Sequence, residues 1–545
     1  MRPRTFFAIF SLLSLSRATP SVHLLNGTIT GSQCAYSEAN FYLAIPYARP
    51  PIGEFRFAAP SIFNAKYGDD GSLNATLPAA SCPQFGSSSF AESGVQSEDC
   101  LTLDVYVPPC ASIRSKLPVK VWLYGGFNEA GGISDATYNG CFSAKDTIVV
   151  TVNYRVGPLG YLSVKKAGLM GNYGLQDQLL ALKWVQSNIN AFGGDPNKIL
   201  LFGQSAGALD TYALGTLREI ESIISAAAIQ SGGSRTLPTI DQSENFTSKF
   251  VELLNCSVFD AQCIKEVRLQ QLYEAFSSLE SSRPNVPALD TNRQNNGFGY
   301  GWGPVVDGTF IEEQPEKIGM RVPSIIGNNA NDGTLFVLAQ YGAALTNITE
   351  SQYQEFLSYS FGTLASNVST SYPLSKYNSS VISPGFSAMS DIITDYGYKC
   401  PTFRALKATE ARGVNVWAYN FNHTPTCSWY QAIPNDPEIL QLLGPTHTAE
   451  IPYVFGLTNH LPLSGSPGSR SGNGNCSFDN AEIVISQFME HAWTTMANDK
   501  RPTLTHVWPK WNRNSNTGIQ ITDLIEISEM DYGNCAFWDN ISDRM

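Results

Sequence analysis

The segment ILLFGQSAGALDTYALG, residues 199–215, constrains the fold of this chain more than any other. Its apolar start has the composition of a buried strand, and a helix-forming run begins at Ala206. The intervening GQSAG turn has small residues on both sides of Ser205, as a sharp strand-to-helix turn requires to keep strand and helix from colliding. The pentapeptide alone is a weak signal, but with a strand before it and a helix after it Ser205 becomes a candidate nucleophile.

Short apolar runs predict further buried strands, at residues 119–124, 147–153, 226–230, 324–327 and 414–421. Helical patterns separate them, most clearly at residues 174–192, where apolar side chains recur every three or four positions. This alternation predicts an α/β fold with a large, mostly parallel central sheet and helices on both faces. With no internal repeat or linker, residues 19–545 are predicted to form a single domain.

The amino terminus, MRPRTFFAIFSLLSLSRA, has two arginines, an apolar run and a small-residue ending. This pattern predicts a secretory signal peptide at residues 1–18. A membrane anchor is disfavoured because the apolar run is about ten residues long, whereas a span needs roughly 20. Export agrees with ten N-x-S/T sequons, at Asn26, Asn74, Asn245, Asn255, Asn347, Asn367, Asn378, Asn422, Asn475 and Asn540.

The cysteine content predicts disulfides, and the net charge argues against two classes of binding partner. Eleven cysteines in an exported chain predict disulfides, and the odd number leaves at least one thiol unpaired within the chain. The net charge of −12 argues against nucleic acid or an anionic membrane as a partner.

A serine nucleophile needs a histidine to accept its proton and an acid to orient that histidine. On a fold of this kind the order along the chain is serine, acid, histidine, so the base must follow Ser205. His447, in the loop-like LLGPTHTAEIPYVFG, is the first candidate, and His423 is its rival. His491 lies in a helical pattern and His506 in a strand-like one, so structural roles are favoured for both.

Asp332 is the candidate acid. It follows an apolar run in VPSIIGNNANDGTLF, at the carboxyl end of a predicted strand, where catalytic groups of parallel sheets gather. The alternative is an Asn-Asp-Gly turn whose aspartate only bonds its own backbone. The glycine-rich WLYGGFNEAGG, residues 122–132, follows another strand and could supply backbone N–H groups to an oxyanion, together with the N–H of Ala206.

Eight motifs in order resemble the type-B carboxylesterase and lipase family, which includes cholinesterases and secreted fungal lipases. They are SEDCLTLDVYVP, WLYGGF, NYRVGPLGYLS, the run GNYGLQDQLLALKWVQSNINAFGGDPNKILLFGQSAG, IQSGG, GPVVDGTF, GNNANDGTLF and HTAEIPYVFG. The resemblance implies an α/β-hydrolase fold with Ser205 as nucleophile, His447 as base and Asp332 as acid. It implies no metal or organic cofactor. It also implies disulfides between Cys82 and Cys100 and between Cys256 and Cys263.

The sequence departs from the family pattern at the acid and at the oxyanion turn. Asp332 stands where the family usually has glutamate, and either carboxylate can accept the imidazole N–H. Phe127 replaces the third glycine of the turn, so the expected oxyanion donors are the N–H groups of Gly126, Phe127 and Ala206. Because Phe127 carries a Cβ, a positive φ is expected to be unfavourable there.

A third departure precedes the nucleophile. Gln204 stands where the family usually has glutamate, and the resemblance places it in a buried polar network with Ser231 and Glu450. Losing one negative charge in that network is expected to stabilise a protonated histidine less.

The expected function is that of a secreted serine ester hydrolase that forms an acyl-enzyme. Aromatic residues near the oxyanion turn and in GFGYGWG, residues 297–303, indicate a hydrophobic or aromatic ester as the small-molecule substrate. The short segment between Cys82 and Cys100 has no tryptophan, which, by the resemblance, argues against a choline ester. Two alternatives stay open: an acyltransferase or cyclase of small-molecule biosynthesis with the same triad, and a non-catalytic binding or adhesion protein.

Overall fold

The computed structural model describes residues 19–35, 37–86, 94–281, 301–342, 347–377, 382–430, 432–462, 474–504 and 507–542, with residues 284, 286, 287 and 289. The predicted signal peptide at residues 1–18, the sequon at Asn378 and His506 lie outside these residues.

The described residues form sixteen strands and sixteen α-helices. The strands are β1 (Ser21–Leu24), β2 (Gly27–Thr30), β3 (Ser32–Gln33), β4 (Asn40–Pro46), β5 (Ser72–Asn74), β6 (Thr102–Val107), β7 (Leu117–Leu123), β8 (Ile148–Val152), β9 (Ser163–Val164), β10 (Leu169–Met170), β11 (Gly194–Gln204), β12 (Ala226–Gln230), β13 (Ser324–Asn329), β14 (Val416–Phe421), β15 (Thr517–Ile521) and β16 (Ile525–Glu529). The helices are α1 (Gly157–Tyr161), α2 (Tyr173–Asn188), α3 (Ala206–Gly215), α4 (Ile240–Leu253), α5 (Ala261–Glu266), α6 (Leu269–Glu280), α7 (Pro315–Ile318), α8 (Thr334–Tyr341), α9 (Glu350–Phe361), α10 (Ala365–Ser371), α11 (Pro384–Thr394), α12 (Cys400–Ala411), α13 (Pro437–Leu443), α14 (Ile451–Phe455), α15 (Asn480–Asp499) and α16 (Cys535–Ser542).

Eleven strands form one sheet in the order β16-β15-β14-β13-β12-β11-β7-β8-β6-β4-β3. All pairs from β8 across to β15 are parallel, and the pairs at the two margins are antiparallel. The parallel strands are the ones that read as continuous apolar runs, because both of their faces are covered. The predicted α/β fold with a mostly parallel central sheet is therefore confirmed.

Alternating side chains along each central strand build a core on both faces of the sheet. On β7, Val119, Val121 and Leu123 join the apolar cluster that contains α2, whereas Trp122 joins the cluster that contains α15. The helix predicted over residues 174–192 is α2, followed by a 3-10 turn at Ile189–Phe192.

One carboxyl group is buried within this sheet. Asp104 on β6 is 1% exposed, and its Oδ1 accepts a hydrogen bond of 2.8 Å from the backbone N–H of Ala44. Burial raises the pKa of Asp104 to about 7, because the charged form loses its hydration. In the unfolded chain the same carboxyl titrates near its ordinary value of about 3.9. The folded state therefore binds this proton more tightly than the unfolded chain does. The free energy of unfolding falls as the pH rises from about 3.9, the ordinary pKa, to about 7, the pKa in the folded state.

Replacing Asp104 with asparagine is expected to stabilise the protein at alkaline pH. Asparagine keeps an oxygen for the Ala44 N–H but cannot ionise, so Asp104→Asn should have a higher Tm than wild type near about pH 8. The difference should shrink near about pH 4, where Asp104 is protonated in the folded state. Thermal unfolding at both pH values checks this, with the exposed Asp69→Asn as control. A lower Tm for Asp104→Asn near pH 8 would contradict it.

Candidate active site

Ser205 lies on the sharp turn between β11 and α3. Its φ of 58° and ψ of −125° lie outside the regions that non-glycine residues usually occupy. Glycines on either side permit the close contact of strand and helix. A Cβ on Gly203 would lie 2.4 Å from the carbonyl oxygen of Gly207, and one on Gly207 would lie 2.2 Å from that of Leu123. The small residues are therefore required for this turn, as the sequence predicts.

Hydrogen bonds hold the backbone of Ser205 in this conformation. Its N–H donates to the carbonyl oxygen of Gln230 on β12 over 2.9 Å, and its own carbonyl accepts from the N–H groups of Ala208 and Leu209, each at 3.0 Å. A Cβ on Gly125, at the end of the neighbouring strand β7, would lie 2.8 Å from the Cβ of Ser205. Ser205 is thus tied to the sheet and to α3 at once.

The structure brings Asp332 and His447 together. Asp332 lies three residues beyond β13, and His447 lies in the loop between α13 and α14. His447 Nδ1 is 2.7 Å from Asp332 Oδ1, and both side chains are buried. With its Nδ1 proton on this bond, a neutral imidazole presents Nε2 as the proton acceptor.

Two further donors hold the Asp332 carboxylate. Its Oδ2 accepts from the hydroxyl of Ser231 and from the backbone N–H of Asn329, both at 3.0 Å. Burial raises the pKa of Asp332, and its bonds with His447, Ser231 and Asn329 oppose that shift. The alternative of a turn in which Asp332 only bonds its own backbone does not describe this carboxylate.

His423, the alternative candidate for the catalytic base, contacts carboxylates other than Asp332. His423 follows β14, and its ring nitrogens lie 2.8 Å from Asp523 Oδ1 and 3.4 Å from Glu482 Oε1. It is not among the residues that line the cavity at Ser205. His491 is part of α15, in agreement with its predicted helical position.

The side chain of Gln204 contacts the imidazole directly. Its amide nitrogen lies 3.2 Å from His447 Nε2 and 3.4 Å from Nδ1, which places it over the face of the ring. The hydrogen bonds among the described residues do not include one from the Ser205 hydroxyl to His447. The lone pair of Nε2 lies in the plane of the ring, so the Gln204 amide does not occupy it.

The structure links Gln204, Ser231 and Glu450 through intervening residues. Within the part of the protein that the structure describes, hydrogen bonds do not join any two of the three directly. The chain of hydrogen bonds runs from Gln204 through His447 and Asp332 to Ser231, and the backbone N–H of Asn329 reaches the Ser231 hydroxyl at 3.2 Å.

Glu450 is the last residue of this chain of hydrogen bonds. The Asn329 side chain donates to Glu450 Oε2 over 2.6 Å, and Gln230 Nε2 lies 3.1 Å from Glu450 Oε1. Trp493 on α15 in turn donates to Gln230 over 3.0 Å. Burial raises the pKa of Glu450, and the charge of Asp332 raises it further. The sequence does not single out Gln230, Asn329 or Trp493, although Gln230 lies in the quoted motif IQSGG and Asn329 in GNNANDGTLF.

The oxyanion turn corrects one expectation. Phe127 adopts a φ of 59°, so the expectation that its Cβ would disfavour a positive φ there is wrong. The turn is closed by hydrogen bonds from the N–H groups of Glu129 and Ala130 to the Gly126 carbonyl, at 2.9 and 3.0 Å. The Phe127 ring packs edge-on against Phe336, with 5.8 Å between ring centroids. Tertiary contacts thus outweigh the local preference of phenylalanine.

The same turn is anchored to the helix that follows the nucleophile. Asn128, with a φ of 57°, donates from its side chain to Asp210 on α3 over 3.1 Å. Of the three predicted oxyanion donors, Gly126 and Phe127 line the cavity at Ser205, and Ala206 is the first residue of α3.

The cavity at Ser205 encloses about 50 Å³. Its wall combines the site residues with aromatic and apolar side chains and one carboxylate: Gly125, Gly126, Phe127, Gly131, Asp135, Thr137, Tyr138, Gln204, Ser205, Phe336, Trp429, Tyr430, His447, Thr448 and Ile451. The aromatic character expected from Phe127 is present. Trp302, from the glycine-aromatic segment, instead packs between Phe246 and Phe250, with ring centroids 4.9 Å from each.

Both disulfides implied by the resemblance are present, and three more accompany them. The pairs are Cys82–Cys100, Cys256–Cys263, Cys34–Cys141, Cys400–Cys535 and Cys427–Cys476. Cys110 is exposed and unpaired.

Within the described ranges, no helix has the length and apolar character needed to cross a bilayer. Over the same residues, no group of three or more His, Cys, Asp or Glu side chains is placed to hold a metal ion.

Comparison with known proteins gives one consistent result. The model of the carboxylesterase family matches residues 18–538. The chain is 30% identical to para-nitrobenzyl esterase of Bacillus subtilis (strain 168), over 89% of this chain and 91% of the relative. It is also 30% identical to cholinesterase of Mus musculus, over 95% of this chain and 84% of the relative.

Solved structures agree. A structure of PNB esterase superposes with a TM-score of 0.76 and 27% identity, covering 95% of this chain and 99% of the other. The chain therefore belongs to the carboxylesterase family, and it is an ester-hydrolysing enzyme that acts on a small-molecule ester.

Proposed function

We propose that the chain is a secreted serine esterase that cleaves hydrophobic or aromatic esters through an acyl-enzyme on Ser205. The observation that carries this proposal is the buried pair of His447 and Asp332, with 2.7 Å between Nδ1 and Oδ1, in the wall of the cavity that contains Ser205. A base oriented by an acid beside a serine is the arrangement that activates a hydroxyl for acyl transfer.

The reaction then proceeds in two halves. Ser205 Oγ attacks the ester carbonyl while His447 Nε2 takes the hydroxyl proton, and Asp332 stabilises the resulting imidazolium. The N–H groups of Gly126, Phe127 and Ala206 stabilise the oxyanion. His447 returns the proton to the leaving alcohol, and a water molecule activated by the same histidine releases the acid and restores Ser205.

The position of Gln204 affects the charge that surrounds His447 during the attack. Its amide nitrogen lies 3.2 Å from His447 Nε2 and 3.4 Å from Nδ1, over the face of the ring, so it leaves the in-plane lone pair of Nε2 for the Ser205 proton. The side chain of Gln204 is neutral, so it adds no negative charge to stabilise the imidazolium formed in the transition state.

Several observations support secretion and an apolar substrate. Of the sequon asparagines in the described residues, Asn26 is half-buried and the others are exposed. Five disulfides suit an oxidising compartment. The aromatic side chains of Phe127, Phe336 and Trp429 in the cavity wall favour a hydrophobic acyl or alcohol group.

Removing the Ser205 hydroxyl should abolish turnover. In Ser205→Ala, kcat/KM for a 4-nitrophenyl ester is expected to fall about 10³-fold or more, because the acyl-enzyme cannot form. Labelling by a fluorophosphonate probe should disappear in the same variant and persist in the exposed Ser112→Ala. Undiminished hydrolysis by Ser205→Ala would contradict the proposal. Absence of labelling in wild type would favour the binding-protein alternative, and turnover only with an added alcohol acceptor would favour acyl transfer.

Restoring a charge at position 204 should change the pH dependence. In Gln204→Glu, the added carboxylate favours protonated imidazole, so the acid limb of kcat/KM should move to higher pH, by roughly one unit. The pH profile with a neutral ester measures this, and the exposed Gln270→Glu, which adds the same charge elsewhere, serves as control. An unchanged acid limb in Gln204→Glu would show that residue 204 does not act on His447.

A further inference from the structure

One wall of the cavity at Ser205 carries an acidic side chain that the proposed reaction does not use. Asp135 immediately precedes a 3-10 turn, Ala136–Tyr138, and lines the same cavity. Its Oδ1 accepts hydrogen bonds from the N–H and the hydroxyl of Thr137, at 2.8 and 2.5 Å. Across the described part of the chain, its Oδ2 accepts no hydrogen bond and no lysine, arginine or histidine forms an ion pair with it.

The negative charge of Asp135 has no structural task in this position. Capping the turn requires only a side-chain oxygen, which asparagine or serine supplies as well as aspartate does. Burial raises the pKa of Asp135, and the two bonds from Thr137 only partly oppose that shift. Asp135 is half-buried, so its carboxylate loses part of its hydration without gaining a cationic partner, and a cationic ligand would offset that cost.

Aromatic side chains line the same cavity. Tyr138, Trp429 and Tyr430 line the cavity together with Asp135. The indole N–H of Trp429 donates to the hydroxyl of Thr448 over 3.0 Å, which orients its ring. Aromatic faces attract cations, and a carboxylate oxygen accepts hydrogen bonds from an ammonium group. The two features suit one ligand group that is positively charged and carries N–H bonds.

We propose that Asp135 is a specificity-determining residue, whose Oδ2 binds an alkylammonium group on one arm of the ester. This inference rests on the proposed function, because it concerns the substrate of the same cavity. The ammonium N–H groups donate to Oδ2, while Oδ1 stays bound to Thr137. A quaternary ammonium has no N–H and would lack this bond, so the expectation against choline esters is consistent with the assignment.

Small competitive inhibitors test the assignment without assuming which arm of the ester carries the charge. Benzylammonium and ethylbenzene have the same heavy-atom skeleton, and near about pH 8 the former is protonated. We expect benzylammonium to inhibit hydrolysis of 4-nitrophenyl acetate with a Ki about tenfold lower than that of ethylbenzene. Asp135→Asn keeps the oxygen that caps the turn and should reduce this ratio to about twofold or less. The exposed Asp146→Asn removes the same charge elsewhere and should keep the wild-type ratio.

The outcomes separate the two proposals. Equal Ki values in wild type, or an unchanged ratio in Asp135→Asn, would overturn the role of Asp135 while leaving ester hydrolysis intact. If wild type does not hydrolyse the ester, the proposed function fails, and the same two ligands then test Asp135 through the rise in Tm that each produces. A larger rise with benzylammonium in wild type only would still support the assignment, and equal rises would overturn it. The wild-type comparison needs no variant, so poor folding of Asp135→Asn would not leave the proposal undecided.

Discussion

The close packing of β7, β11 and α3 at their glycines is the constraint on which the site depends. Any side chain at Gly203 or Gly207 would overlap a backbone carbonyl, so strand and helix meet at this distance only because both positions lack a Cβ. The chain must then turn within one residue, and Ser205 takes the strained conformation that results. Strain of this kind costs about 1–3 kcal/mol and persists only where the surrounding structure enforces it. Here the enforcing contacts are the bonds of Ser205 to β12 and α3.

Burial is the main cause of the raised pKa values of the two carboxyl groups near the site. Asp332 and Glu450 are fully buried carboxyls, joined through Asn329, and both pKa values are raised. Gln230 and Asn329 on the sheet provide uncharged donors for them, and His447 is the basic group that approaches Asp332. A neutral Gln204 on the other side of the imidazole avoids adding a further negative charge to this region.

Much of this arrangement could be predicted from the sequence because it depends on local patterns. The six central strands read as apolar runs, and all six occur with bounds within a few residues, apart from β11, which begins earlier at Gly194. The two strands at one margin of the sheet, β15 and β16, were missed because one face is partly exposed and their patterns are mixed. The positive φ of Phe127 was also missed, since it depends on Phe336 and on α3. Asp135 belongs to no motif, and only the folded chain brings it beside Ser205.

Covalent acylation of Ser205 is the step that distinguishes this mechanism, and intact-mass spectrometry detects it directly. Rapid quenching of the enzyme during turnover of 4-nitrophenyl acetate, followed by peptide mapping, measures whether an acetyl group is attached and where. We expect one acetyl group on the peptide that contains Ser205, and none in Ser205→Ala. Acetylation of another residue, or turnover by Ser205→Ala at the wild-type rate, would contradict it.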